Sequence, residues 1–223
     1  FEKVSAYIFA NPELAFTEVK GQQALCELLE NNGFAVTRGV GGISTSFEAV
    51  YDTGKPGKNI AFMAEYDALP EIGHGCGHNI IGTSSAGAGV VLKEIMQKHD
   101  LGGVLKVIGT PAEERVGGKI LMLREGVFKG LDAAMIMHPT DATIPDDISF
   151  ASVNIEYVFH GKPAHSAAFP WRGANALSGV IQMFNAVDAF VFGTMVHKGP
   201  FNVFHTGYHF YINNENGNTD KSF

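Results

Sequence analysis

The sequence is poor in cysteine, in basic residues and in long apolar segments, and each shortage excludes a class of protein. Two cysteines in 223 residues are too few for the disulfide framework of a secreted scaffold, which favours a reducing compartment. No apolar run approaches the roughly 18 residues of a membrane span, and the N-terminus resembles no signal peptide. With 16 Lys and Arg against 23 Asp and Glu, general affinity for nucleic acid or anionic lipid is not expected. We therefore expect a cytoplasmic protein without a nucleic-acid or membrane partner.

The composition that remains is typical of a compact, turn-rich protein of α/β or α+β class. Hydrophobic residues make up 45% of the chain, and there are 27 Gly and 9 Pro. The pattern changes near Asp147, where a long alternating run, a turn and a helix replace shorter strand and helix segments. We predict one domain over residues 1–147 and the start of a second over 148–189. The Phe-, His- and Asn-rich tail at 190–223 has no readable period and stays unassigned.

Up to Asp147 the chain alternates between apolar strands, polar loops and helices. Helices are predicted at the N-terminus, from Thr17 to Gly33, and over 80–98, 119–124 and, beyond the composition break, 174–187. Strands are predicted over 34–37, 46–51, 59–64 and 104–109, and a buried strand AAMIM precedes His138. This order predicts a sheet with helices packed on it, with ligands gathering where its strands end.

The segment GHGCGHN could form one corner of a metal site. Cys76 and His78 are separated by one residue in a Gly-rich loop, so a thiolate and an imidazole can turn toward one point. The alternative is a tight turn whose polar residues are incidental.

The segment GTPAEER places Glu113 and Glu114 at the end of an apolar strand. Neighbouring side chains point in different directions, so one carboxylate could bind a metal while the other faces water or substrate. A Glu beside an activated water can take its proton and later hand it to a leaving amine. The alternative is a pair of acidic residues favoured by the dipole at a helix N-terminus.

His138 is a third candidate ligand, although a lone His beside an apolar run is often a satisfied structural residue. Cys76, His78, one of the two Glu residues and His138 each follow a predicted strand. This mixed set of sulfur, nitrogen and oxygen donors suits zinc, or manganese, cobalt or nickel in a more open site.

Five segments in this order, AEYDALP, GHGCGHN, GTPAEE, MHP and GKPAHSA, resemble the M20 family of metallopeptidases and amidohydrolases. The resemblance runs from about Glu2 to Val187 and is strongest to subfamily D, which holds aminoacylase-like enzymes, p-aminobenzoyl-glutamate hydrolases and related dipeptidases. It implies a mixed-sheet α/β/α catalytic domain, phosphorylase/hydrolase-like, with an inserted α+β dimerisation domain. It also implies that both domains are incomplete in this chain, which starts without Met and stops before the family's last ligand His.

The resemblance also implies roles for individual residues. Cys76 would bridge two divalent ions, with His78, Glu114 and His138 as further ligands and Asp67 supporting the site from behind. Glu113 would be the general base. His165 would stabilise the oxyanion in a partner subunit's active site, so a homodimer is expected. Glu65 sits where other branches place a ligand His and is not counted as a ligand.

The implied reaction is hydrolysis of an amide bond in a dipeptide or an N-acyl amino acid. Asn79 in CGHN resembles the dipeptidase and p-aminobenzoyl-glutamate subgroups, which favours short peptides or N-acyl amino acids as substrates. Two alternatives remain. The chain could be a non-catalytic fragment of such an enzyme, or Cys76 could act as the nucleophile of a cysteine hydrolase, which would leave Glu113, Glu114 and His138 without a function.

Overall fold

The structure, a computed structural model, describes residues 1–145, 155, 157–197, 212–213 and 219–220. The chain divides into two compact units, Phe1–Asp146 and Asp147–Phe223, and each is described by itself. No helix among the described residues is both long and apolar enough to cross a membrane.

The helices of the first unit form where apolar residues recur on one side and end at glycine or a turn. They are α1 (Glu2–Ala10), α2 (Val19–Asn31), α3 (His78–Lys98), α4 (Glu113–Val116) and α5 (Gly118–Arg124), with a 3₁₀ turn at Val40–Gly42. Helix α2 buries Leu25, Cys26 and Leu29 on one face. It stops before Gly33, whose φ of 79° lies in the left-handed region that glycine adopts without a Cβ clash.

Five strands of the described residues form a mixed sheet. They are β1 (Ala35–Arg38), β2 (Phe47–Asp52), β3 (Lys58–Ala64), β4 (Gly103–Gly109) and β5 (Ala133–Met135), in the spatial order β1-β2-β4-β3-β5. Strands β1, β2 and β4 pair antiparallel, whereas β3 runs parallel to both β4 and β5. The mixed sheet that the sequence predicts is therefore confirmed.

The parallel register decides where the polar loops lie. Ala64 at the end of β3 pairs with Gly109 at the end of β4. Because parallel strands end at the same edge of a sheet, the loop after β3 and the TPAEE segment after β4 meet there. His138 follows β5, which is parallel to β3, and so approaches this edge as well.

Helices cover both faces of the sheet. One core cluster joins α1, α2 and α3 to one face through residues such as Leu25, Tyr66 and Val107. A second cluster places Met122 of α5 with Ala61 and Ile108 on the other. Successive strand side chains point to opposite faces, so Val107 and Ile108 serve different cores, as an α/β/α arrangement requires.

Two sequence-based boundaries are corrected. The strand predicted as buried AAMIM is shorter, Ala133–Met135, and its residues are exposed because β5 lies at the end of the strand order. His138 is thus three residues beyond a strand rather than at its end. His78, expected in a loop, is the first residue of α3.

The second unit contains a 3₁₀ turn at Pro170–Arg172, helix α6 (Ala176–His197) and two short strands, β6 (Ile212–Asn213) and β7 (Thr219–Asp220), which pair antiparallel. Helix α6 extends ten residues past the predicted end at Val187. Most of the alternating run at 148–156 lies outside the described residues, and residues 157–161 are not in a strand. A bridge between Lys162 and Ala174 closes the loop that carries His165.

Candidate metal centre

Asp67 and His78 form the buried base of the site. The Nδ1–H of His78 donates to the Asp67 carbonyl at 2.9 Å and to Asp67 Oδ1 at 3.0 Å. Burial alone would raise the pKa of the Asp67 carboxyl, but the hydrogen bond from His78 and the N–H of Glu114 outweigh it and lower the pKa. This pairing assigns the proton to Nδ1 and leaves Nε2 of His78 with a free lone pair.

Three carboxylates surround that free nitrogen. The Nε2 atom of His78 lies 3.4 Å from Glu65 Oε2, 3.6 Å from Glu114 Oε1 and 3.8 Å from Glu113 Oε2. Burial would lower the pKa of His78, but the hydrogen bond and charge of Asp67, with Glu65 and Glu114, raise it. The site is therefore strongly negative and arranged around one imidazole nitrogen.

Cys76 and His138 complete the same region. Cys76 Sγ lies 3.4 Å from His138 Nε2, and the Nδ1–H of His138 donates to the Pro139 carbonyl at 2.9 Å. That bond leaves Nε2 of His138 available as well. Burial, followed by the nearby Glu114 carboxylate, raises the pKa of the Cys76 thiol to about 12.

Glu113 is the more exposed member of the carboxylate pair, with 41% of its side chain accessible against 20% for Glu114. Burial and the neighbouring Glu65 raise the pKa of Glu113, while Lys119 opposes the shift. A carboxyl with a raised pKa that still faces solvent has the properties of a general base that must also return its proton.

The donors fit a divalent metal. Two overlapping groups, Cys76 with His78 and His138, and His78 with Glu113 and Glu114, each hold their donor atoms within 4.8 Å of one another. Among the described residues, the buried atoms His78 Nε2 and Glu114 Oε1 have no hydrogen-bond partner. Buried polar atoms are normally paired, so two unpaired atoms aimed at one point fit a cation between them.

The structure brings together every metal-site residue that the sequence predicted and adds one contact that sequence reasoning missed. Lys119, in the first turn of α5, forms an ion pair with the buried carboxylate of Glu65. The sequence offered no signal for this contact because Lys119 reads as an ordinary exposed helix residue. One oxygen of Glu65 is thereby engaged while the other faces His78.

His165 and Asn79 lie in different surroundings. His165 belongs to the second unit, where its Nδ1 accepts hydrogen bonds from the N–H groups of Ala167 at 3.3 Å and Ala168 at 3.1 Å. The remaining proton is then on Nε2, which is exposed and can donate. Asn79 is buried and donates to Ser5 Oγ of α1 at 3.0 Å, so this side chain joins two helices.

Taken together, an α/β/α sheet with imidazole, thiolate and carboxylate donors at the ends of its parallel strands defines a metal-centre protein of the hydrolase type. Residues 61–204 match the sequence profile of Peptidase family M20/M25/M40. The chain belongs to that family.

Similarity to individual proteins agrees with this assignment. The chain is 36% identical to a p-aminobenzoyl-glutamate hydrolase of Escherichia coli (strain K12), over 82% of this chain and 41% of that protein. It is 35% identical to the Xaa-Arg dipeptidase of Mus musculus, over 80% of this chain and 44% of that protein. The chain thus spans less than half the length of these relatives.

A solved structure supports the fold. The YXEP protein of Bacillus subtilis, described as a dinuclear metal-binding peptidase of the M20 family, matches with a TM-score of 0.53 and 26% identity. The match covers 60% of this chain and 40% of that one.

Proposed function

We propose that this chain carries the metal centre of an amidohydrolase that cleaves an amide bond in dipeptides or N-acyl amino acids. The observation that carries the proposal is the pair of buried, unpartnered atoms, His78 Nε2 and Glu114 Oε1, facing each other at 3.6 Å. The names of the two relatives above support the substrate class. The two-unit division supports a catalytic part over 1–147 and a separate lid or dimerisation part from 148, with 190–223 unassigned.

In this proposal Cys76, His78, Glu114 and His138 hold two divalent ions, with zinc favoured by the sulfur and nitrogen donors and manganese, cobalt or nickel as alternatives. Such ions, when bound, lower the pKa of a coordinated water toward about 7 and polarise the substrate carbonyl. The chain's own contribution is to hold His78 in one tautomer through Asp67 and to keep the donors in place before the ions arrive.

Proton transfer falls to Glu113. Its carboxylate reaches the same point as the ligands and stays partly open to solvent, so it can take a proton from the attacking water and deliver it to the departing nitrogen. His165, with its proton on Nε2, is proposed to donate to the oxyanion from a partner subunit, in a homodimer. Two free thiols support a reducing, cytoplasmic location.

A cysteine-nucleophile mechanism is less well supported. A nucleophilic cysteine requires the thiolate, but burial and the surrounding carboxylates raise the pKa of Cys76 to about 12. The thiol would therefore stay protonated near neutral pH, and a cation is the partner that would favour its ionised form.

Metal content tests the proposal directly. The parent chain is expected to bind zinc stoichiometrically after purification in metal-containing buffer, measured by atomic emission. Cys76→Ala is expected to lose most of this zinc because a ligand is gone. Cys26→Ala is the matched control, since Cys26 is buried in the core on α2 and is expected to leave zinc content unchanged.

Hydrolysis tests the second half of the proposal. Turnover of an N-acyl amino acid should disappear with a chelator and return with zinc or manganese, and Glu113→Gln should lower kcat by about 10² to 10⁴-fold. Rapid inactivation by iodoacetamide with indifference to chelator would favour the thiol mechanism instead. Zinc binding without any turnover would identify the chain as a non-catalytic metal-binding fragment.

A further inference from the structure

Glu18 is a buried carboxylate that reaches the site from a distant part of the chain. It precedes α2, its residue is fully buried, and its Oε1 accepts a hydrogen bond from the Ala112 N–H at 2.8 Å. Burial raises the pKa of this carboxyl, with hydrogen bonds from backbone amides, Ala112 among them, opposing the shift. A buried carboxylate is costly, so its contact with a backbone amide of another loop requires an explanation.

Ala112 is the residue that this carboxylate holds. It has φ of 60° and ψ of 39°, a left-handed conformation that is unfavourable for a residue with a Cβ. The side chain is fully buried, and the Ala112 carbonyl accepts from the Gly118 N–H at 3.1 Å. Such a conformation persists only when its surroundings hold it, and the Glu18 hydrogen bond is one of these restraints.

The strained residue lies directly before the two functional carboxylates. On the other side of Glu113, the N–H of Glu114 donates to Asp67 Oδ2 at 3.0 Å. The short segment from Ala112 to Glu114 is therefore fastened at both ends by buried carboxylates, Glu18 and Asp67.

We propose that Glu18 is a positioning residue that fixes the backbone of the Glu113–Glu114 segment through the Ala112 amide. It touches neither metal nor substrate and acts by holding the turn that aims both side chains. This inference rests on the proposed function for its consequence, but the backbone restraint itself can be measured without metal or substrate.

Three variants separate this role from ordinary stability. Glu18→Ala removes the acceptor, whereas Glu18→Gln keeps a carbonyl oxygen that can accept from the Ala112 N–H. Glu13→Ala is the matched control, because Glu13 Oε2 accepts from the N–H groups of Lys20 at 2.8 Å and Gly21 at 3.0 Å in the first turn of the same helix. Its loss should weaken α2 without touching the Ala112 turn.

The first measurement is amide hydrogen exchange of residues 110–116 in the metal-free full chain. Exchange should rise about tenfold or more in Glu18→Ala, because the amide loses its acceptor, and stay within about threefold of the parent in Glu18→Gln. Glu13→Ala should raise exchange in α2 alone. The second measurement is zinc affinity, which should fall about 10-fold or more in Glu18→Ala only, since ligands lose their backbone support.

The inference is overturned if Glu18→Ala exchanges and binds zinc like Glu13→Ala. Should Glu18→Ala fail to fold, Glu18→Asp replaces it, because a side chain one methylene shorter withdraws the acceptor and keeps the charge; unchanged exchange at 110–116 in that variant would be equally decisive. A parent chain that binds no zinc refutes the proposed function, yet its exchange data still decide the role of Glu18.

Discussion

At the scale of single residues, the site depends on hydrogen bonds that lock its donors before any ion is bound. Asp67 illustrates this, since one carboxylate fixes the tautomer of His78 and also accepts the Glu114 N–H. The sequence motif located Asp67 near the site, but only the coordinates connect it to both ligands. Outer partners of this kind typically contribute about 10- to 100-fold to metal affinity.

Replacing Asp67 should therefore weaken zinc binding although it is not proposed as a ligand. Asp67→Ala is expected to lower zinc affinity about 10- to 100-fold, as measured by competition with a zinc-binding dye. Asp67→Asn should have a smaller effect because its Oδ1 still accepts from His78. Asp132→Ala is the control, since this exposed carboxylate pairs with Lys58 away from the cluster. An Asp67→Ala chain with parental affinity would contradict the role of Asp67.

At the scale of elements, the long helix α3 carries His78 at its first residue and must lie close to the sheet. Its small residues allow this: a Cβ on Gly82 would come within 2.7 Å of the Glu65 carbonyl oxygen, and a Cβ on Gly89 would overlap Val107. The sequence predicted a small-residue helix here but not which glycines face the sheet. Close packing of α3 brings His78 to Asp67.

Substitution of two glycines on this helix should have opposite effects. Gly82→Ala is expected to destabilise the chain, because the Glu65 backbone must shift to admit the methyl group. Gly87→Ala should stabilise it by roughly 0.5 to 1 kcal/mol, since its Cβ would meet only the Phe1 ring at 3.6 Å and alanine favours the helix. Urea unfolding of both variants measures the free energies; a destabilised Gly87→Ala with an unaffected Gly82→Ala would refute this packing.

Elements and site were predictable from the sequence to different degrees. The strands and helices of the first unit were found because hydrophobic periodicity is local, and errors occurred where context overrides it. AAMIM reads as buried by composition, yet β5 is exposed because of its position in the sheet. His78 was assigned to a loop because three glycines precede it, whereas Gly77, at φ 80°, starts the helix.

At the scale of the whole molecule, the proposed metal ligands all belong to the first unit, whereas His165 belongs to the second. Both core clusters consist of residues up to Leu131. The first unit therefore has a hydrophobic core of its own, which is what independent folding requires.

We accordingly expect residues 1–146 expressed alone to unfold cooperatively and to bind zinc within about threefold of the full chain, because no proposed ligand is removed. Circular dichroism melting and dye competition provide the two measurements. His165→Ala in the full chain is the companion variant and should keep parental zinc content, since its proposed role is in the reaction and not in binding ions. A shortened chain that folds but loses zinc would show that the second unit supplies a ligand.

The sequence by itself determined the family, the α/β class and the candidate metal-site residues, because motif order and hydrophobic period are properties of neighbouring residues. Only the tertiary structure decided which atoms meet. Glu18 and Ala112 are 94 residues apart, and Lys119 reaches Glu65 across 54. Such contacts depend on how α2 and α5 pack against the sheet, and hydrogen bonds form only within a few tenths of an ångström of their preferred length. No local pattern specifies distances of that kind.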